Sequence, residues 1–344
     1  MEKRVFVYDK PFTVEGGQVL PQLEVGYVCS KGGYHGQKVI WLCHAVTASA
    51  DPRDWWAQIT GPGLMFDTEK YFVICANSLG SCFGSSGPAS INPLTGKPYY
   101  FDFPKVTVRD SINAFYLLCK HLGINKIDLL VGASMGGFHA QEFAIMHPEL
   151  IKRAVFMATT SRVTPWLTAF EETQRMALEA DPTFRLRRDL KGGLAGLKCA
   201  RGIAIMSYRC EIGYNIKQWE DTDDVVFADK AASYQRYQGS KFVRDFDAYS
   251  YWYLTYVVDS INIGRGRGGV EKALKMIKCP STVISLSTDL LFPPVDMEPM
   301  AKGMGADFHI IQTHFGHDGF LIEFPQMEAI IRPIVEESCA KSLR

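Results

Sequence analysis

The stretch KIDLLVGASMGGFHAQEFAIMHPE, residues 126–149, decides how the chain is read. A run of apolar residues ends in a turn of small residues around Ser134, and an amphipathic helical pattern begins at Met135. Gly132-Ala133-Ser134-Met135-Gly136 fits G-x-S-x-G and sits where that motif needs to sit, after a strand and before a helix. A sharp strand-to-helix turn lifts the seryl oxygen out of the sheet, and small residues at positions 132, 136 and 137 relieve the crowding this causes. The helix start adds free N–H groups, and that of Met135 can face a developing oxyanion. Glycines at such a junction also serve plain packing or phosphate binding, but G-x-G-x-x-G and G-K-[ST] are both missing here.

Outward from this turn, short apolar runs recur at residues 23–29, 38–45, 71–77, 153–159, 281–287 and 308–313. Amphipathic segments such as VRDSINAFYLLCKHLGI (108–124) lie between several of them. Strands alternating with helices predict an α/β fold, a mainly parallel sheet flanked by helices. Two stretches break the rhythm. Residues 77–104, rich in Gly, Ser and Pro, are too long for an idle connector and read as an ordered functional loop. The second carries helical patterns, AFEETQRMALEADP (169–182) and GLAGLKCARGIAIMSYRC (193–210), with little strand signal. The expected organisation is a core over 1–161, a helical lid insertion over 162–275 above the sheet's carboxyl edge, and the rest of the core over 276–344.

Composition excludes several classes. Thirty-seven basic residues balance 37 acidic ones in 344 residues, so no global field favours nucleic acid or anionic membranes. No stretch approaches the roughly 20 apolar residues of a spanning helix, and the amino terminus has no signal-peptide core, so the expected location is the cytoplasm. Nine cysteines lack CxxC pairs and several lie in apolar runs, which predicts reduced, buried thiols.

A seryl hydroxyl is a weak nucleophile and needs a base and an orienting carboxylate, in the chain order Ser, Asp, His for such a sheet. STVISLSTDLLFPP places Asp289 just past a late strand, and THFGHDGFLIEF places His317 in a Gly-flanked loop after the last strand. Asp289 could equally cap a helix, since Pro293 and Pro294 follow, and the triad order is what favours the catalytic reading. His314 and His317 have a spacing that could hold a metal, but no third ligand accompanies them and none is expected. His35, His121, His139, His147 and His309 read as solvated or internally satisfied. A second oxyanion donor should come from the loop after an early strand, WLCHAVTASAD, with the N–H of Val46 as the candidate.

Jointly these segments resemble the homoserine O-acetyltransferase family of the α/β-hydrolase fold. CHAVTASAD, NSLGSCFGSSGPASINPLTGKPYYFDFPKVTVRD (77–110), RYQGSKFVRDFDAYSYWYLT (236–255), DLLFPP and GHDGFL are each similar to a family segment, so the resemblance covers nearly the whole chain. It implies Ser134 as nucleophile, Asp289 as orienting acid and His317 as base. It also implies an amino-acid clamp, with Asp318 for the substrate ammonium and Arg201 and Tyr208 for its carboxylate. Arg201 and Tyr208 are seven residues apart, two helical turns, and so share one face. Without the resemblance they read as a lid ion pair and helix packing, and Asp318 as a solvated loop acid. Ala133 stands where the family has a second glycine and Ala48 where glycine is common, both in the region where acyl group and acceptor should sit.

The expected activity is transfer of an acetyl group from acetyl-CoA, a substrate and not a resident cofactor, to the hydroxyl of L-homoserine through an acyl-serine. The resemblance further implies methionine biosynthesis and a homodimer, with small-molecule substrates and no nucleic-acid or membrane partner. The rivals are a serine esterase using water as acceptor, a succinyl- or serine-specific transferase, and a non-catalytic binding protein, which would be expected to lack a triad member.

Overall fold

The computed structural model describes residues 1–339, so the expectation for 276–344 extends five residues beyond it. The chain opens with β1 (Glu2–Tyr8), the short pair β2 (Phe12–Thr13) and β3 (Val19–Leu20), then β4 (Leu23–Cys29), β5 (Val39–Cys43) and β6 (Phe72–Ala76). A two-residue hairpin, β7 (Ile91–Asn92) and β8 (Lys97–Pro98), precedes α1 (Val108–Leu122), β9 (Leu129–Ala133), α2 (Met135–Met146) and β10 (Ala154–Met157). Six helices follow without a strand: α3 (Pro165–Glu179), α4 (Pro182–Leu186), α5 (Leu194–Tyr208), α6 (Glu211–Gln218), α7 (Lys230–Phe242) and α8 (Ala248–Asp259). α9 (Val270–Leu274), β11 (Ser281–Leu286), α10 (Pro294–Met304), β12 (Asp307–Ile311) and α11 (Phe324–Cys339) complete it.

Eight strands form one sheet in the order β1-β4-β6-β5-β9-β10-β11-β12. Every pairing from β6 to β12 is parallel, as expected for an α/β hydrolase. The central strands are buried on both faces, which is why VIWLC, FVICA and LLVGA read as unbroken apolar runs. Side chains alternate between the faces: Trp41 joins the core under α1 and α2, while Ile40 and Leu42 join the one under α11. The antiparallel edge was not anticipated. β1 pairs with β4 from Glu2 opposite Cys29 to Tyr8 opposite Leu23, and its exposed Lys3 and Arg4 suit an edge strand.

α1 begins with a reciprocal cap between Thr107 and Asp110 and ends at Gly123. α2 departs from the amphipathic pattern expected of it, because it is buried from Met135 to Ile145. The loop after β6 is ordered by its own polar side chains. Asn77 Oδ1 accepts the Ala50 N–H at 2.7 Å, Ser85 Oγ accepts that of Gly26 at 3.1 Å, and Ser86 Oγ accepts that of Glu24 at 2.8 Å.

Helices α3 to α8 leave the sheet layer after β10 and return through one neck, where Val163 N donates to Ile261 O at 2.9 Å and Ile263 N to Ser161 O at 3.0 Å. The insertion expected over 162–275 therefore closes near residue 263. α9 packs back against α10 of the core.

The tightest point is the passage from β9 to α2. A Cβ on Gly136 would overlap the Cys43 carbonyl oxygen of β5, and one on Gly132 would overlap the Gly136 carbonyl oxygen. Both obstacles are backbone atoms of packed elements and cannot swing aside. Gly136→Ala is accordingly expected to destabilise the protein by about 3 kcal/mol or more. Thermal unfolding followed by circular dichroism would show it as a lowered Tm, and an unchanged Tm would mean that β5 and α2 are not so close.

Candidate active site

Ser134 occupies the turn itself, with φ 57° and ψ −126°, a conformation that L-residues hold only when their surroundings impose it. Its N–H donates to Met157 O at 3.0 Å, which anchors the turn to β10, and its carbonyl accepts the Gly137 N–H at 2.9 Å. The side chain thus stands above the carboxyl ends of the parallel strands.

Asp289 and His317 arrive from the loops after β11 and β12. His317 Nε2 lies 2.8 Å from Ser134 Oγ, and its Nδ1 lies 2.7 Å from Asp289 Oδ2. Asp289 Oδ1 accepts the Leu291 and Phe292 N–H groups at 2.8 and 3.0 Å. The helix-cap alternative for Asp289 does not hold, because the cap position of α10 belongs to Pro293; Oδ1 instead closes the turn ahead of that helix, while Oδ2 serves His317. Two backbone donors keep Oδ2 aimed at the imidazole and fix its tautomer, with the proton on Nδ1 and the lone pair on Nε2 facing the hydroxyl.

All three side chains are buried. Burial pulls the His317 pKa down, but the Asp289 charge and hydrogen bond, helped by Asp318, outweigh it and hold the pKa above its ordinary value. Phe292, Phe320 and Tyr208 surround the imidazole, with ring centroids 5.2, 5.3 and 5.8 Å from it. This apolar wall strengthens the charge interactions inside it.

The two expected oxyanion donors are both available. Among the described residues, neither the Met135 nor the Val46 N–H donates to a protein oxygen. The Val46 loop is held by His44, whose Nε2 accepts the Ser78 N–H at 3.0 Å while Nδ1 lies 2.8 Å from Ala45 O. Burial pushes the His44 pKa down to about 4, so the ring stays neutral and keeps an acceptor for Ser78. Against this loop lies a groove of about 950 Å³, lined by Thr47, Ala48, Asn77, Phe83, Asp245 and Leu321 among others, but not by Ser134 or His317.

Arg201 and Tyr208 share the inner face of α5, with the guanidinium carbon 5.7 Å from the tyrosine ring centroid and 4.7 Å from that of Phe242. Arg201 Nε and Nη1 are buried without a hydrogen-bond partner. Asp318 follows His317 directly and lies 3.1 Å from Arg209 Nε. The structure thus gathers these groups at the lid's contact with the His317 loop, and it does not pair Arg201 within the lid.

Two polar side chains beside the site were not singled out in the sequence. Arg209 follows α5 in extended backbone, off the face that carries Arg201 and Tyr208, so helical spacing gave no reason to choose it. Glu171 is buried and accepts no hydrogen bond among the described residues; desolvation first, then Asp259, push its pKa up to about 8 against the opposing pull of Arg175. It shares a helical stripe with Leu167 and Leu178, the one signal that it faces inward.

The alpha/beta hydrolase fold family matches residues 38–324. The homoserine O-acetyltransferase of Cyclobacterium marinum is 38% identical over 341 residues, covering 98% of this chain and 96% of that protein. Among solved structures, the homoserine O-acetyltransferase from Staphylococcus aureus superimposes with a TM-score of 0.77 at 30% identity, over 99% of this chain and 96% of that one. Esterase E22 superimposes with a TM-score of 0.87 at 25% identity, over 97% and 100%.

A neutral His317 is needed to accept the seryl proton, so labelling of Ser134 by a fluorophosphonate should rise with pH through a midpoint above the ordinary histidine value. In Asp289→Asn the raising influence is lost and burial remains, so the midpoint should move down while the plateau rate falls roughly 10³- to 10⁴-fold. Labelling rates measured across pH test this, and an unchanged profile in the variant would contradict the pairing.

Proposed function

The chain belongs to the homoserine O-acetyltransferase family of the α/β-hydrolase fold, and on that premise we propose that it moves an acetyl group from acetyl-CoA to the side-chain hydroxyl of L-homoserine. The observation that carries the acceptor is Arg201, a half-buried arginine whose Nε and Nη1 are buried and unpaired, on the same helix face as Tyr208 and beside the carboxylate of Asp318. A shielded fork with free donors suits a carboxylate that can take both N–H groups, and Asp318 suits an ammonium. A simple ester carries neither group.

In the first half-reaction His317 Nε2 takes the Ser134 hydroxyl proton as Oγ attacks the thioester carbonyl. The oxyanion is held by the N–H groups of Met135 and Val46. The carbon–sulfur bond breaks, and the thiolate of coenzyme A leaves with the proton from Nε2. In the second half-reaction the homoserine hydroxyl gives its proton to Nε2 and attacks the acyl-serine. The ester bond to Oγ breaks and Ser134 recovers the proton. Asp289 stays ionised throughout and stabilises the transient imidazolium. No metal or resident cofactor is assigned a step in this reading.

The same reading includes a place in methionine synthesis, a cytoplasmic location and a homodimer. Among the described residues no helix is long and apolar enough to cross a membrane. Trp219, Val226 and Phe227 on the lid are exposed large apolar side chains of the kind that self-association covers. Light scattering should therefore read a mass near twice 38.5 kDa, whereas a monomer at micromolar concentration would remove that part.

The deciding assay is release of free thiol from acetyl-CoA with and without L-homoserine, beside a Ser134→Ala control. Release that requires homoserine and vanishes in the variant is the expected result. Release that ignores homoserine would make the protein an ester or thioester hydrolase, and release driven by succinyl-CoA or by serine would reassign the acyl group or the acceptor.

A further inference from the structure

The lid meets the His317 loop backbone to backbone at one corner. α5 ends at Tyr208, and the chain turns through Arg209 and Cys210 into α6. Gly316, at φ 64°, lies so near that a Cβ there would come 2.7 Å from Cys210 N and 2.8 Å from Arg209 C. On α6, a Cβ at Gly213 would overlap the His314 carbonyl oxygen. No side chain separates the two segments, so the groups they carry are held at fixed distances from one another.

Across this seam Arg209 Nε faces Asp318 Oδ2 at 3.1 Å, with the two side chains 24% and 14% exposed. The angle is too bent for an aligned hydrogen bond, so the contact is chiefly charge against charge. Among the described residues Asp318 Oδ1 accepts no hydrogen bond from the protein. Burial raises the Asp318 pKa and Asp289 adds to this, while Arg209 leads the opposing cations, ahead of His317 and Arg201. Arg201 is the cation assigned to the acceptor's carboxylate, and His317 is neutral in the form that accepts a proton. Arg209 is then the permanent positive charge left to balance Asp318 when the site is full.

We propose that Arg209 is the positioning residue of the acceptor site, keeping Asp318 an anion whose Oδ1 is free to receive the ammonium of the acceptor amino acid. The proposal rests on the acetyl-transfer reading above. A carboxylate largely shielded from water and without a counter-charge is pushed toward taking up a proton. A neutral acid loses the charge-assisted contact that distinguishes an amino acid from a hydroxy acid of the same length. Arg209 touches no substrate in this arrangement and acts only through Asp318.

The test compares wild type, Arg209→Gln and Arg209→Lys with two acceptors, L-homoserine and 4-hydroxybutanoate, which has the same hydroxyl and carboxylate but no ammonium. Acyl-enzyme formation is read separately as the burst of nitrophenol from p-nitrophenyl acetate, with no acceptor present. Arg209→Gln should keep the burst within about twofold of wild type while its KM for homoserine rises at least about tenfold. Its preference for homoserine over 4-hydroxybutanoate should collapse, and Arg209→Lys, which keeps the charge, should restore most of it.

Equal losses on both acceptors, or an unchanged KM for homoserine, would overturn the assignment. If Arg209→Gln does not fold, Asp318→Asn removes the same pair from the other side and must show the same loss of preference; a retained preference there also overturns it. If no homoserine concentration accelerates the wild-type steady-state turnover that follows the burst, the acetyl-transfer reading falls instead, and the assignment of Arg209 with it.

Discussion

The backbone of Ser134 is the constraint around which the molecule is arranged. A residue with a side chain at φ 57° and ψ −126° costs on the order of 1–3 kcal/mol, and it persists only where neighbours over-determine it. Here β9 and α2 are both buried along nearly their whole length, so neither can relax to relieve the turn. The hydrogen bond from Ser134 N to Met157 O ties the strained residue to the neighbouring strand. Glycine at 132 and 136 is the condition for this closeness, because any larger residue would meet backbone oxygen.

Electrostatics follow from the same burial. A hydroxyl, an imidazole and a carboxylate taken out of water are costly unless each finds a partner. Asp289 divides its two oxygens between a turn of the backbone and His317, so its charge is stabilised and directed at once. His44 works in the opposite sense, since burial without a counter-charge leaves it neutral and suited to fixing two loops together. Two buried histidines thus differ in protonation behaviour because one faces a carboxylate and the other faces backbone.

The lid supplies what the triad lacks. In the acetyl-transfer reading proposed above, water and an amino alcohol compete for the same acyl-serine, and the triad alone does not distinguish them. Discrimination needs charges placed for a zwitterion and a cover that keeps bulk water away. The α5–α6 corner brings Arg201, Tyr208 and Arg209 to the loop of His317 and Asp318, and its backbone contact leaves little freedom between the two.

Much of this was legible in the sequence. Ser134, Met135 and the glycines form a local motif, and Asp289 and His317 each follow an apolar strand in the order the sheet requires, so neighbouring residues suffice to find them. The strand over 23–29 and the helix beginning at 108 were likewise written in local pattern and turn chemistry. The edge strand β1 was not, because its partner β4 is chosen by pairing across a separate hairpin. The full burial of α2 and the inward turn of Glu171 depend on which elements cover them.

Arg209 marks the limit most clearly. Its meaning lies in a single 3.1 Å approach to Asp318, made by a corner of the lid folding onto a distant loop. Sequence alone determined which chemistry the chain carries, since reactive residues sit in short motifs with their own backbone logic. Tertiary structure decided which charges meet, because an ion pair between remote segments leaves no periodic trace in either one.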